Sequence, residues 1–152
     1  MRLVIGSDHG GLELKSSVSQ SLGARGVDVV DFGTDNGDSV DYPDFAVKVA
    51  RAVARGEADC GVLVCGTGIG MSIVANKFPG VRAALATDEF MARMAKEHNN
   101  ANILVLGGRV LNDDLACRMV EAWLDASYEG GRHQRRLDKI AAVEEDVRAG
   151  RI

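Results

Sequence analysis

Cys65 opens the stretch of the chain richest in potential chemistry, Cys65-Gly66-Thr67-Gly68-Ile69-Gly70-Met71-Ser72, in which a thiol is followed by three alternating glycines. Those glycines free several backbone N–H groups to point inward as an anion nest, which would lower the thiol pKa from its reference of about 8.5. The pattern therefore reads as a poised thiolate. The plainer alternative, a buried inert cysteine before an ordinary turn, fits Cys60 and Cys117 better. Near the amino terminus, Gly6-Ser7-Asp8-His9-Gly10-Gly11 sets an acid and an imidazole in a turn open to close ligand approach. Asp8 would serve equally as a helix cap, and His9 as a surface residue. The run His98-Asn99-Asn100-Ala101-Asn102 follows a helical pattern; it offers a proton-transfer group and amides, or only a left-handed cap and a histidine answering the helix dipole. Among the basic residues, Arg109 follows Gly107-Gly108, and Arg132 and Arg136 stand one helical turn apart, so that both guanidinium groups can reach one anion or simply form a solvated basic turn, the commoner case for such pairs.

Counting along the glycine loop removes three familiar assignments. A Walker A loop needs Gly-Lys-Ser/Thr where Gly66 is followed by Met71-Ser72, and a dinucleotide fingerprint starting at Gly66 needs glycine where Met71 stands. A cysteine phosphatase needs an arginine at that same position to hold its phosphate. Metal chemistry is not expected either. The histidines are scattered, no His-x-His or Cys-x-x-Cys occurs, and Asp41 with Asp44 reads more simply as a loop residue and a helix cap.

Composition narrows the partners. With 18 basic and 22 acidic residues the net charge is -4, so neither nucleic acid nor an anionic membrane gains electrostatic support, and small molecules or proteins remain. No run approaches about 18 consecutive apolar residues, and Met1 to Asp8 loses its apolar character too early for a signal peptide. A cytoplasmic location is expected. Three cysteines without framework spacing read as free thiols in a reducing compartment.

The elements that must carry these groups show in the apolar pattern. Strand-length runs occur at Leu3 to Ile5, Val27 to Val30, Gly61 to Val64, Arg82 to Ala86 and Ile103 to Leu106, each ending in small or polar residues. Helical patterns lie between them, notably Asp44 to Arg55, with Asp44 as its expected cap, Asp88 to Glu97, and Asn112 to Asp125. Alternating strands and helices predict right-handed crossovers and a parallel sheet covered on both faces, an α/β fold of three layers, α/β/α. A length of 152 residues makes this one domain, residues 1 to 152. Ligands of such sheets bind beyond the carboxyl ends of the strands, where Asp8, Cys65 and Arg109 fall. A last helix, roughly Arg132 to Arg148, follows no further strand, so its sparse apolar stripe of Leu137, Ile140, Ala141 and Val147 packs either on its own sheet or on another subunit.

Taken together, Ser7-Asp8-His9-Gly10-Gly11, Asp41-Tyr42-Pro43-Asp44, Cys65-Gly66-Thr67-Gly68-Ile69-Gly70, His98-Asn99 and Glu129-Gly130-Gly131-Arg132-His133-x-x-Arg136 resemble the type B ribose-5-phosphate isomerases over essentially the whole chain. Some members of that family carry glutamate where Cys65 stands, so the resemblance is to its cysteine type. It implies a Rossmann-like five-stranded parallel sheet in order 2-1-3-5-4 and a homodimer, or a pair of dimers, with active sites between subunits. It also implies interconversion of ribose 5-phosphate and ribulose 5-phosphate in the pentose phosphate pathway, without metal or organic cofactor. On this resemblance Cys65 is the base that moves a proton between C1 and C2, and His98, helped by Asp8, opens the furanose ring. Backbone N–H groups from Gly66, Thr67, Gly68, Ile69 and Gly70, with the Thr67 hydroxyl, hold the enediolate oxygens, and Asn99 orients the substrate. His9, Arg109, Arg132 and Arg136 bind phosphate, the arginines and His98-Asn99 coming from the neighbouring subunit. Six-carbon substrates, allose or galactose 6-phosphate, and a non-catalytic sugar-phosphate sensor are the competing readings.

Overall fold

The computed structural model describes all 152 residues. Five strands alternate with helices: β1 (Arg2–Ser7), α1 (Leu12–Ala24), β2 (Asp28–Asp31), α2 (Tyr42–Ala54), β3 (Cys60–Cys65), α3 (Ile69–Ala75), β4 (Ala83–Leu85), α4 (Glu89–Glu97), β5 (Ile103–Gly107) and α5 (Asp113–Asp125). A sixth helix, α6 (Arg132–Arg148), closes the chain, with the bounds its sequence pattern predicts. The sheet is parallel throughout in the order β2-β1-β3-β5-β4. The expected strands all form, with ends moved by one or two residues.

Alternation of side chains along each strand builds two cores. Leu3, Ile5, Val62, Val64, Leu104 and Leu106 face α1, α4 and α5, with Leu14, Leu22, Ala92, Met119 and Trp123 opposite them. Val4, Leu63, Cys65, Ile103 and Val105 face α2 and α3 on the other side. Trp123 shows how helix and strand are locked. Its ring is buried and its Nε1–H donates to the Ala101 carbonyl at 3.2 Å, so its polar edge is satisfied while its apolar area, worth about 3 to 5 kcal/mol against alanine, stays in the core.

Caps set the helix starts. Asp88 accepts from the Met91 N–H at 2.7 Å and Asn112 from the Leu115 N–H at 2.9 Å, as expected for residues ahead of apolar-periodic runs. At α2 the expectation of an Asp44 cap is corrected. The helix starts at Tyr42, with Asp41 at the cap position and Pro43 in the first turn, where its fixed φ and missing N–H cost nothing. Asp44 instead places its negative charge in the first turn.

One buried cation organises the loop that approaches the first strand. Lys15, 3% exposed, donates from Nζ to Asp31 Oδ2 at 2.6 Å and to the Thr34 carbonyl at 2.7 Å. With the Thr34 N–H bonded to the Ser7 carbonyl at 3.0 Å, this pins the segment after β2 against the end of β1.

Candidate active site

At the carboxyl edge of the sheet, three loops meet backbone to backbone. A Cβ placed on Gly11 would lie 2.6 Å from the Val64 carbonyl oxygen, and one on Gly108 would lie 2.5 Å from that of Gly10, so no larger residue fits either position. The Gly108 N–H donates to the Cys65 carbonyl at 2.7 Å and the Arg109 N–H to the Gly66 carbonyl at 2.9 Å. The ends of β1, β3 and β5 thus form one floor.

On that floor Cys65 is 5% exposed, and its Sγ accepts the Gly68 N–H at 3.2 Å. Gly68 holds φ at 80°, a left-handed value that glycine adopts without strain, at the cap position where α3 begins. Thr67 is exposed beside it, and the Ile69 N–H lies 3.4 Å from Thr67 Oγ1. A negative sulfur therefore has a donor in place, and the loop amides stand next to it. Burial pushes the Cys60 thiol up to about 11 and raises the pKa of Cys117 as well, so both stay protonated near neutrality. Of the three thiols, Cys65 is the one at the carboxyl edge with a backbone N–H donor on its sulfur.

Asp8, 8% exposed, accepts the Gly10 N–H at 2.9 Å and so caps the short turn His9–Gly11; the capping alternative is what the free chain shows, with one carboxylate oxygen left over. His9 takes the Val40 N–H on Nδ1 at 3.2 Å, which leaves Nε2 to carry a proton. His9, Gly10, Gly108 and Arg109, with Glu13, line a cavity of about 320 Å³, room for a small ligand. A Cβ on Gly66 would lie 3.3 Å from Arg109 Nη1, so that guanidinium, which has no carboxylate partner, overhangs the Cys65 loop of its own chain. The expectation brings all three arginines from a neighbouring subunit; in the chain itself Arg109 lies over its own Cys65 loop.

The other expected residues are elsewhere. Helices that follow parallel strands run back across the sheet, so α4 and α5 end at its amino edge. His98 and Asn99 lie there, beside Arg82 at the foot of β4, whose Nε donates to the Asn99 carbonyl at 3.2 Å. They are a strand length from Cys65, about 17 Å or more. Asn100 has a φ of 44° and is the left-handed residue after the helix, while the Asn99 side chain is exposed. Arg132 and Arg136, exposed and without carboxylate partners, open α6 on the same amino edge.

Two histidines that look scattered in the sequence meet here, which corrects that reading. The His98 and His133 rings stack with centroids 4.2 Å apart and 10° between planes. Glu129 Oε2 lies 3.8 Å from His98 Nε2 and 3.3 Å from His133 Nε2. Burial, with the charges of His98 and Arg132 nearby, holds the His133 pKa below its ordinary 6.5 despite Glu129. The Glu129 N–H donates to the Glu97 carbonyl at 3.0 Å and fastens this segment to the end of α4. Glu129 and His133 are four positions apart, but sequence spacing offers no signal that joins them to His98, 31 and 35 positions earlier.

Beyond the cluster α6 runs along the amino edge, touching it where the Gly80 N–H donates to Glu144 Oε2 at 3.0 Å. Between them lies an apolar groove of about 750 Å³ lined by Phe78, Val81, Leu137, Ile140, Val143 and Val147, the last three about half exposed. No helix is long and apolar enough to cross a membrane.

Residues 3–140 match the ribose/galactose isomerase family. The chain is 47% identical over 144 residues to ribose-5-phosphate isomerase B of Escherichia coli strain K12, covering 95% of this chain and 97% of that one. The solved ribose-5-phosphate isomerase B of Clostridium thermocellum is 54% identical and superposes with a TM-score of 0.95 over 97% of this chain and 99% of that one. That of Mycoplasma genitalium, with ribulose-5-phosphate bound, is 45% identical with a TM-score of 0.92 over 95% and 97%.

Proposed function

The chain belongs to the ribose/galactose isomerase family, and from that premise we propose that its carboxyl-edge floor binds an open-chain sugar phosphate and isomerises it. It interconverts ribose 5-phosphate and ribulose 5-phosphate in the pentose phosphate pathway. The observation that carries this reading is the ribulose-5-phosphate held by a relative whose backbone is nearly the same. A cytoplasmic location suits such an activity.

The chemistry follows from the floor. The Cys65 thiolate takes the C2 proton of the aldose and returns it at C1 while the O2 hydroxyl proton passes to O1, and the enediolate formed between these steps is held by the loop amides from Gly66 to Gly70 and by Thr67. His9 and Arg109 hold the phosphate, whose binding energy keeps the reacting carbons against the sulfur. A second copy of the chain supplies His98, Asn99, Arg132 and Arg136 across a two-fold interface, since its amino edge carries what this carboxyl edge lacks. The open groove along α6 supports such an assembly. There His98, with Asp8, moves the protons that open the furanose ring.

Purified protein should convert ribose 5-phosphate faster than allose 6-phosphate or galactose 6-phosphate, and keep that rate after exhaustive treatment with EDTA, because thiolate and amides need no Lewis acid. Loss of turnover in EDTA, restored by a divalent metal, sinks the mechanism; a faster six-carbon reaction reassigns the substrate.

His98→Ala should slow the aldose far more than the ketose, because ribulose 5-phosphate cannot close a furanose ring and needs no opening. Single-turnover rates in both directions check this. Equal losses for the two substrates would give His98 another task.

A further inference from the structure

The His98, Glu129 and His133 cluster is more than the ring-opening reading requires. Three potential ligand atoms lie within 4.8 Å of one another, two of them imidazole nitrogens facing one carboxylate oxygen. Tetrahedral zinc with bonds of about 2.0 to 2.2 Å separates its ligand atoms by roughly 3.4 Å, so closing on an ion asks for about an ångström of side-chain movement and a tilt of the stacked rings. His98 and Glu129, 36% and 53% exposed, have that freedom, while His133 at 4% is the fixed member. Arg132 Nε, 3.5 Å from His133 Nε2, is the cation that an incoming ion displaces.

We propose that His98, Glu129 and His133 form a binding site for one divalent zinc-type cation, with a fourth position open to solvent, separate from the metal-free turnover. Two imidazoles and a carboxylate are a donor set that zinc prefers over magnesium or calcium, which seek oxygen ligands. The consequence for activity rests on the proposed role of His98: an ion on Nε2 occupies the lone pair that ring opening uses. The cation is then a reversible inhibitor of the cyclic aldose, and it spares the thiol.

The test uses the full chain, stripped with EDTA and returned to chelator-free buffer near neutral pH. Zinc alone is titrated by calorimetry, and cobalt(II) alone serves as the visible-spectrum probe. One saturable site per chain is expected, with the intense visible band of tetrahedral cobalt and no thiolate charge-transfer band. Glu129→Gln, an exposed substitution that does not threaten the fold, should weaken binding by about tenfold or more. Absence of saturable binding overturns the proposal. So does an affinity that Glu129→Gln leaves unchanged, or a thiolate band that Cys65→Ala abolishes, since either puts the ion on other ligands. Turnover measured at zinc saturation keeps the two readings apart. Inhibition of the aldose that Glu129→Gln relieves supports both, whereas full occupancy with undiminished aldose turnover leaves the site standing and removes His98 from ring opening.

Discussion

Cys65→Ala should lower turnover by a factor of about 10² to 10⁴, the usual cost of removing a positioned general base, with little change in fold. The sulfur is buried at a strand end and accepts one N–H, but the floor beneath it is made by backbone contacts among Gly10, Gly11, Gly66 and Gly108 that a truncated side chain leaves in place. The loss should fall on kcat, because the phosphate anchorage proposed for His9 and Arg109 does not involve the thiol. Cys60→Ala is the internal control. It deletes a sulfur from the main core, where the thiol stays protonated, and should cost about 1 to 2 kcal/mol of stability while turnover holds. Steady-state kinetics with a denaturation curve for each variant decides it. A Cys65→Ala enzyme that keeps more than half its turnover removes the thiol from proton transfer.

The second large effect is a recovery. Arg132→Ala and Arg136→Ala, combined in one chain, should leave almost no activity at low substrate, since each charged hydrogen bond to phosphate is worth about 1.5 to 3 kcal/mol. Cys65→Ala is nearly inactive as well. If each site takes its thiol from one chain and its arginines from another, a mixed dimer carries both defects in one site and none in the other. Equal mixing makes half the dimers mixed, with half their sites intact, so activity should return to about a quarter of wild type. Mass spectrometry confirms the exchange. Confirmed exchange with activity still at the parental level would show that the arginines serve the thiol of their own chain.

Legibility in the sequence followed the range of the interactions concerned. Strands and helices were readable because burial on both faces writes continuous apolar runs at Val62 to Val64 and Ile103 to Leu106, with asparagine and aspartate caps marking the starts of α4 and α5. The Cys65 loop was readable for the same reason, since thiol, glycines and helix start are consecutive. The α2 start was misplaced because Asp41 and Asp44 are both capping types and only the position of Pro43 in the first turn chooses between them. What stayed hidden depends on long-range placement. Nothing local says that Arg109 overhangs Gly66, that Lys15 is buried against Asp31 and Thr34, or that His133 returns to stack on His98. The strand order came from family resemblance, because apolar runs carry no information about their neighbours.

The separation of Cys65 at one edge of the sheet from His98 at the other has a consequence for how activity begins. On the shared-site reading a newly made chain, fully folded, is catalytically silent. Activity then appears with the square of chain concentration while encounters are rare, and linearly once pairing is complete. On that reading the catalyst is a property of the pair, so dilution should extinguish it without unfolding a single helix, and the cell's supply of this protein would set a threshold as well as a rate.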